Sequence, residues 1–598
     1  MLFAAFIAGG CPGSDETPLC DGKVDGTPLP DSEQTKGDCL VMVCDGAGSR
    51  KVVPLAADAD DGNPCTADKC EGVTVVHTPQ AQVPCYSGTP GTEGFGVCKG
   101  GVLKCDSKGN PIGRCQGEIV PATEICSNGA DEDCDGTLDD NADGCCGDGM
   151  VSASIGEECD DGAAEDDNDC SRACKVQRVL EVAPGYDFTC ARLSGDVVKC
   201  WGYSAMGQLG LGDKEARGDD PGEMGSALPT VELGSEQRAT AISAGNEHVC
   251  ALLADGAVKC WGSNISGQLG LGNEINRGDT PDEMGNKLPP VDLGSDQRAT
   301  AIAVGFGHTC ALLSGGAVKC WGANDFGQIA LGAQLARGDG PNEMGDMLPA
   351  VGLGTGQSAV AIAAGSQHTC ALLANGSVKC WGYNEYGELG LGDTNHRGDD
   401  VAEMGNALPT VDLGSDQTVK AITAGFRHTC ALLANGSVKC WGLNGDGQLG
   451  LGDTQNRGDG PGEMGDALPA VDLGPNETAE AIVAGDFHTC ALLAGGAVKC
   501  WGAGTLGSLG SNDTQPLGDE PNEMGSALPF VDVGPGQIVT AIAAGSYHTC
   551  ALLSTGTLKC WGNNFNGQLG LGDMEGRGDQ PGEMGAALPT VKLFSDLW

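Results

Sequence analysis

The feature that most constrains this 598-residue chain is a sixty-residue period. A Cys-Trp-Gly step recurs at Cys200, Cys260, Cys320, Cys380, Cys440, Cys500 and Cys560. A second cysteine precedes each by ten residues, at Cys190, Cys250, Cys310, Cys370, Cys430, Cys490 and Cys550. Seven copies at constant spacing require one supersecondary unit that is stacked in a line or arranged in a ring.

Within the unit GNEHVCALLADGAVKCWGSNISGQLGLG (245–272), the runs HVCALL and AVKCWG flank the turn chemistry of Asp255-Gly256. A three-residue loop sets Leu253 opposite Ala257 and brings Cys250 opposite Cys260. Facing residues of antiparallel strands lie about 4.5–5.5 Å apart at Cα, within reach of a disulfide. Each repeat is therefore expected to be stapled across its own hairpin, for roughly 2.5–3 kcal/mol per bridge in the chain-entropy model. Two further apolar segments, LPTVELG (228–234) and RATAISAG (238–245), complete four short antiparallel strands. Seven such sets predict an all-β fold, a seven-bladed β-propeller over residues 177–598.

The strings G-x-x-H-T-C-A-L-L, G-x-V-K-C-W-G and G-Q-L-G-L-G-D closely resemble the repeat of the regulator of chromosome condensation family, whose members form seven-bladed propellers. The paired cysteines and an added segment, RGDxPxEMGxxLP, depart from that family's pattern.

Charge and cysteine content narrow the setting. With 82 acidic against 33 basic side chains, the formal charge of −49 repels nucleic acid and anionic membranes. Thirty-one cysteines indicate an oxidising compartment or the cell exterior. Residues 1–11, MLFAAFIAGGC, resemble the end of a bacterial lipoprotein signal with Cys11 as the lipidated residue; an ordinary cleaved signal is the competing reading. The expectation is a monomeric protein of the bacterial cell envelope, or a secreted one, meeting a membrane only through a lipid anchor at Cys11.

Residues 12–120 form a cysteine-rich, loop-rich region without a sustained strand or helix period, similar to extracellular modules of myxobacterial type. Residues 121–145 contain EICSNGADEDCDGTLDD, which resembles an extracellular metal-binding motif. That resemblance implies Asp131, Asp133, Asp135 and Asp139 as oxygen donors, with Ca2+ as the cofactor. Ala142 stands where a calcium loop places its bidentate glutamate, so a solvated acidic linker is the alternative. Residues 146–176 resemble a myxobacterial cysteine-rich repeat, expected to act as a disulfide-stapled spacer.

The sequence holds no GxxxxGK[ST], HExxH or GxSxG signature, and the expectation is a protein that is not an enzyme. Gly502-Ala503-Gly504-Thr505-Leu506-Gly507 matches GxGxxG but lacks the strand-to-helix context of a dinucleotide site. His248 and its counterparts share a sheet face with the cysteines. The first copy has Phe188 at that position while keeping Cys190 and Cys200, so the histidines are read as structural, bonded to backbone within the blade. The RGD tripeptide at Arg217 and five further copies is read as scaffold in preference to an integrin-type signal, and Asp219 and Glu223 are expected to cap a turn, with cation binding as the alternative.

Two windows vary most among the copies: the pair after Ala-Gly in the first strand, and the four residues after Trp-Gly. In an up-and-down meander both lie at one end of the sheet, so both crowd one face of the ring. Ten of the seventeen Phe and Tyr fall in these windows. The expected partner-binding residues are Tyr186, Asn246, Glu247, Phe306, Gln367, Phe426, Arg427, Phe487 and Tyr547 in the first window, with Tyr203, Phe326, Tyr383 and Tyr386 in the second. These predict a non-enzymatic binding or scaffold protein that takes an extracellular or envelope protein or glycan on its variable face. Inhibition of an extracellular hydrolase is the alternative, and an enzyme with a site in the central channel is a third. The cysteines and leader argue against guanine-nucleotide exchange, which needs a cytoplasmic GTPase.

Overall fold

The computed structural model describes residues 40–44, 50–54, 63–71, 74–88, 93–94, 97–121 and 177–594 except 236. Cys11 and the acidic motif with Asp131, Asp133, Asp135 and Asp139 lie outside the described residues. Contacts divide the chain into two units, Met1–Ala164 and Glu165–Trp598.

The first unit carries more strand than its composition predicts. Leu40–Cys44 pairs with Arg50–Pro54, Thr66–Glu71 with Thr74–Pro79, and Gln82–Cys85, Gly101–Cys105 and Pro111–Gln116 form a three-stranded meander. The last of these strands is almost wholly exposed. Disulfides Cys65–Cys105 and Cys85–Cys115, with Cα atoms 5.7 and 5.8 Å apart, tie together segments with little apolar burial.

The second unit is a ring of seven three-stranded antiparallel sheets, each built from consecutive strands of one repeat. In blade 2 these are Ala239–Ala244 (inner), His248–Leu253 (middle) and Val258–Gly262 (outer). The hairpin has the expected register: Leu253 N–H donates to the Ala257 carbonyl, and Cys250 faces Cys260. That pair falls at a non-hydrogen-bonded position, where strands approach most closely, and its Cα atoms are 4.1 Å apart. All seven pairs, from Cys190–Cys200 to Cys550–Cys560, are bridged in the same way. The glycine after each tryptophan is fixed by sterics, since a Cβ on Gly262 (φ 102°) would lie 2.4 Å from the Glu247 carbonyl oxygen.

The expected fourth strand is not a regular strand. Residues 228–234 run extended, with Leu228, Val231 and Leu233 buried, but they make one backbone bond to their own blade, Val231 N–H to Val198 O at 2.8 Å. Two of their carbonyls serve the next blade. Glu232 O accepts from Gly285 N–H, and Leu233 O accepts from the Lys259 ammonium at 2.7 Å. The same ammonium donates to Gly285 O at 2.9 Å, so the lysine of the recurring K-C-W-G string works as a buckle between blades. Burial lowers the affinity of Lys259 for its proton, and the two carbonyls compensate.

Three more contacts repeat around the ring. Each tryptophan indole donates across the blade boundary, as Trp321 Nε1 does to Gln268 O at 2.9 Å. The same carbonyl accepts from the Thr309 hydroxyl at 2.9 Å. Because that hydroxyl spends its proton there, it accepts from His248 Nε2–H at 2.8 Å, which fixes the imidazole as the neutral Nε2 tautomer. The histidines therefore bond to a threonine of the next blade, and the expected backbone bond within one blade is corrected. Full burial holds the His248 and His368 rings near pKa 3 and His308 near 4.

Blade 7 closes onto blade 1 with the same set: His548 to Thr189 at 2.8 Å, Trp201 to Gln568 O at 3.0 Å and Lys199 to Leu593 O at 2.9 Å. The repeats therefore form a closed ring.

Candidate binding face

Both variable windows lie at one face, as the meander requires. In every blade the residue after Trp-Gly donates its N–H to a carbonyl of the first window, as Tyr203 does to Asp187 O at 2.9 Å and Tyr383 to Gln367 O at 2.9 Å. The inner ends of the first windows meet at the ring axis through backbone bonds such as Ser366 N–H to Gly425 O and Ser546 N–H to Gly185 O, both 3.3 Å. They enclose a cavity of about 90 Å³ lined by Asn246, Phe306, Ser366, Phe426, Asp486 and Ser546 among small residues.

The aromatic side chains join into an arc. Phe426 and Phe487 have centroids 5.4 Å apart, Phe487 and Tyr547 5.7 Å, and Tyr547 meets Tyr186 edge-on at 6.2 Å, crossing blades 5, 6, 7 and 1. A second cluster packs Phe326 edge-on against Tyr383 at 4.9 Å, with Tyr386 6.4 Å beyond and His396 stacked on Tyr383 at 5.1 Å. Arg427 unites the two, its guanidinium lying 4.4 Å from the Tyr383 centroid and 5.2 Å from those of both Tyr386 and Phe426.

The expected residues divide by exposure. Tyr186, Tyr203 and Phe306 are exposed, while Asn246, Glu247, Phe326, Gln367, Tyr386, Phe426, Arg427, Phe487 and Tyr547 are half-buried. Tyr383 is buried; its hydroxyl donates to Glu385 at 2.6 Å and accepts from Arg427, so it organises its neighbours and offers little surface. Phe306 and Tyr203 stand apart from the arc's ring contacts.

Several residues in or beside the windows were not among the expected partner-binding residues. Ile265 and Phe565 are exposed by 67% and 63%, making them its most protruding apolar groups. His396 was hidden inside the RGD-containing segment, although the position before that tripeptide also varies among copies. Asp187 accepts from Gln568 Nε2 at 3.0 Å across the closing junction, and burial raises its carboxyl. Asp486 at the cavity is pushed up to about 6 by desolvation, against a hydrogen bond from Ser546. Glu388 occupies a position filled by Gln in five other copies. Its Oε2 accepts from Tyr386 N–H at 3.0 Å, its Oε1 has no partner, and burial pushes its carboxyl up to about 7.

The RGD segment is used internally. Arg217, Arg397, Arg457 and Arg577 each pair with the aspartate four residues earlier at 2.7 Å. Glu223 caps the following turn as expected, accepting from Gly218 and Asp220 N–H groups at 2.8 and 3.2 Å, whereas the buried Asp219 Oδ1 accepts no hydrogen bond among the described residues, which corrects the expectation for that residue.

The architecture defines a class: a closed seven-bladed ring, bridged within each blade, that keeps its scaffold constant and varies one aromatic face. The RCC1-like domain model matches residues 139–469, more than half of the chain, and the regulator of chromosome condensation (RCC1) repeat matches residues 480–508 and 539–568. The chain belongs to the RCC1-like domain family. It is similar to the ultraviolet-B receptor UVR8 of Arabidopsis thaliana, with 29% identity over 66% of this chain and 80% of that protein. It is also similar to the probable E3 ubiquitin-protein ligase HERC4 of Homo sapiens, with 31% identity over 53% of this chain but only 32% of the ligase. Yeast RCC1 (Prp20), solved bound to Kap60, aligns over 69% of this chain and 85% of that chain, with 22% identity and a TM-score of 0.49.

Proposed function

We propose that this protein is a non-enzymatic binding protein of the cell exterior that engages a protein partner through the variable face of its ring. The observation that carries this reading is the division of labour between copies. Residues that hold blade to blade recur almost unchanged, whereas the aromatic arc from Phe326 to Tyr186 is assembled from positions that differ in each repeat. Such an arc, half-buried and rimmed by polar groups, has the composition of interface anchors. Membership of the RCC1-like domain family, whose relatives include a probable E3 ubiquitin-protein ligase, supports a protein as the partner class.

The exterior placement is supported by the bridges buried in every blade, which would be reduced in an ordinary cytosol. Anchoring through Cys11 and Ca2+ binding by Asp131, Asp133, Asp135 and Asp139 rest on the sequence, and a diacylglycerol adduct on Cys11 and calorimetric Ca2+ titration test them.

The binding face is tested by affinity capture from cell-surface extract. Wild-type protein is expected to recover a partner that the Tyr186→Ala, Phe306→Ala, Phe426→Ala, Tyr547→Ala quadruple variant does not. Equal recovery by both would remove the face from the account.

A further inference from the structure

The cavity on the ring axis carries an asymmetry that the aromatic arc alone does not explain. Asp486 is the only ionisable residue lining it. Ser546 donates to its carboxyl, yet no cation lies close enough to offset the cost of burial. Among the described residues it forms no ion pair. The surrounding windows carry Asp187, Glu247, Asp325, Glu385, Asp446 and Asp486 against a single base, Arg427. That base is already engaged by the Tyr383 hydroxyl and by three aromatic rings. Within the two windows, acids and π surfaces thus face a single cation, and that one is already engaged.

We propose, building on the protein-binding reading above, that the axial cavity receives a cationic side chain, lysine or arginine, from the partner protein, and that Asp486 is its counter-ion. Phe426 and Phe306 line the same cavity, and Phe487 packs on Phe426 and Tyr547 on Phe487 outside the lining. An ammonium or guanidinium entering there would pair with the carboxylate while its stem and charge lie against ring faces, an arrangement that gains from both ion pairing and cation–π attraction. Asn246, Ser366 and Ser546 supply neutral acceptors for the remaining N–H donors. The volume of about 90 Å³ admits the end of one side chain and no folded element.

The test uses the full chain and a defined probe, the heptapeptide acetyl-Gly-Gly-Gly-Lys-Gly-Gly-Gly-amide, with its Nε-acetyl-lysine and arginine counterparts, titrated calorimetrically at pH 7.5 and millimolar concentration. The lysine or arginine peptide is expected to bind at least tenfold more tightly than the acetylated one. Asp486→Asn should lose at least tenfold, while Asp292→Asn, which removes one charge from a different pocket, should change nothing. Equal binding of the acetylated peptide, unchanged binding by Asp486→Asn, an equal loss in Asp292→Asn, or no binding by wild type would overturn the proposal. Affinity capture separates this failure from failure of the underlying reading. A partner kept by Asp486→Asn but lost by the quadruple alanine variant leaves the face in place and removes the cation, whereas a partner kept by both removes the face.

Discussion

At the residue scale, the junction between blades 1 and 2 shows what the histidines do. Six junctions join a histidine to a threonine of the next blade. At the seventh, the histidine position is Phe188 and the threonine position is Val249, both fully buried in one apolar cluster. Loss of the donor is matched by loss of the acceptor, as the cost of a buried unpaired polar atom demands. Thr369→Val alone should therefore strand the His308 Nε2–H and destabilise the ring by about 1–3 kcal/mol, with His308→Phe/Thr369→Val recovering most of that in thermal denaturation. The sequence shows Phe188 and Val249 plainly, but they lie sixty-one positions apart and only the ring brings them together. Glu388 gives a second residue-level prediction. Burial pushes its folded-state pKa from the ordinary 4.5 up to about 7, so the native state holds an extra proton between those values and stability falls as pH rises through that window. Glu388→Gln should match wild type at pH 4 and exceed it at pH 8 by roughly 2–3 kcal/mol, measured by denaturant unfolding. Gln448 already makes the equivalent bond, accepting from Asp446 N–H at 2.9 Å.

At the element scale, the hairpin was legible because its determinants are local. Turn chemistry, loop length and strand period together place Cys250 opposite Cys260 without reference to the rest of the chain. The segment 228–234 was legible only in its apolar pattern, because its hydrogen bonds are decided by Lys259 and Gly285 of the following repeat. A single bridge closes a short loop, and Cys310→Ala/Cys320→Ala should cost about 2–3 kcal/mol in equilibrium unfolding. The variable face was legible as a pair of windows, and the structure places them side by side. Which aromatics stack, and that Arg427 joins the two clusters, depends on packing between different blades.

At the scale of the whole molecule, a ring closed by the same tryptophan and lysine contacts at all seven junctions leaves only short sheet edges, each partly covered by the extended segment of its own repeat. Stability resides in those repeated contacts, which leaves one end of every blade free to differ. Both the fold and the proposed placement outside the cell rest on the sulfur chemistry of the blades. The most direct measurement is the thiol state of the protein taken from its own cells, by alkylation and peptide mapping without reduction. Seven linkages from each cysteine at 190, 250, 310, 370, 430, 490 and 550 to the one ten residues later are predicted. Alkylated, unlinked cysteines at these positions in the folded protein would contradict the account.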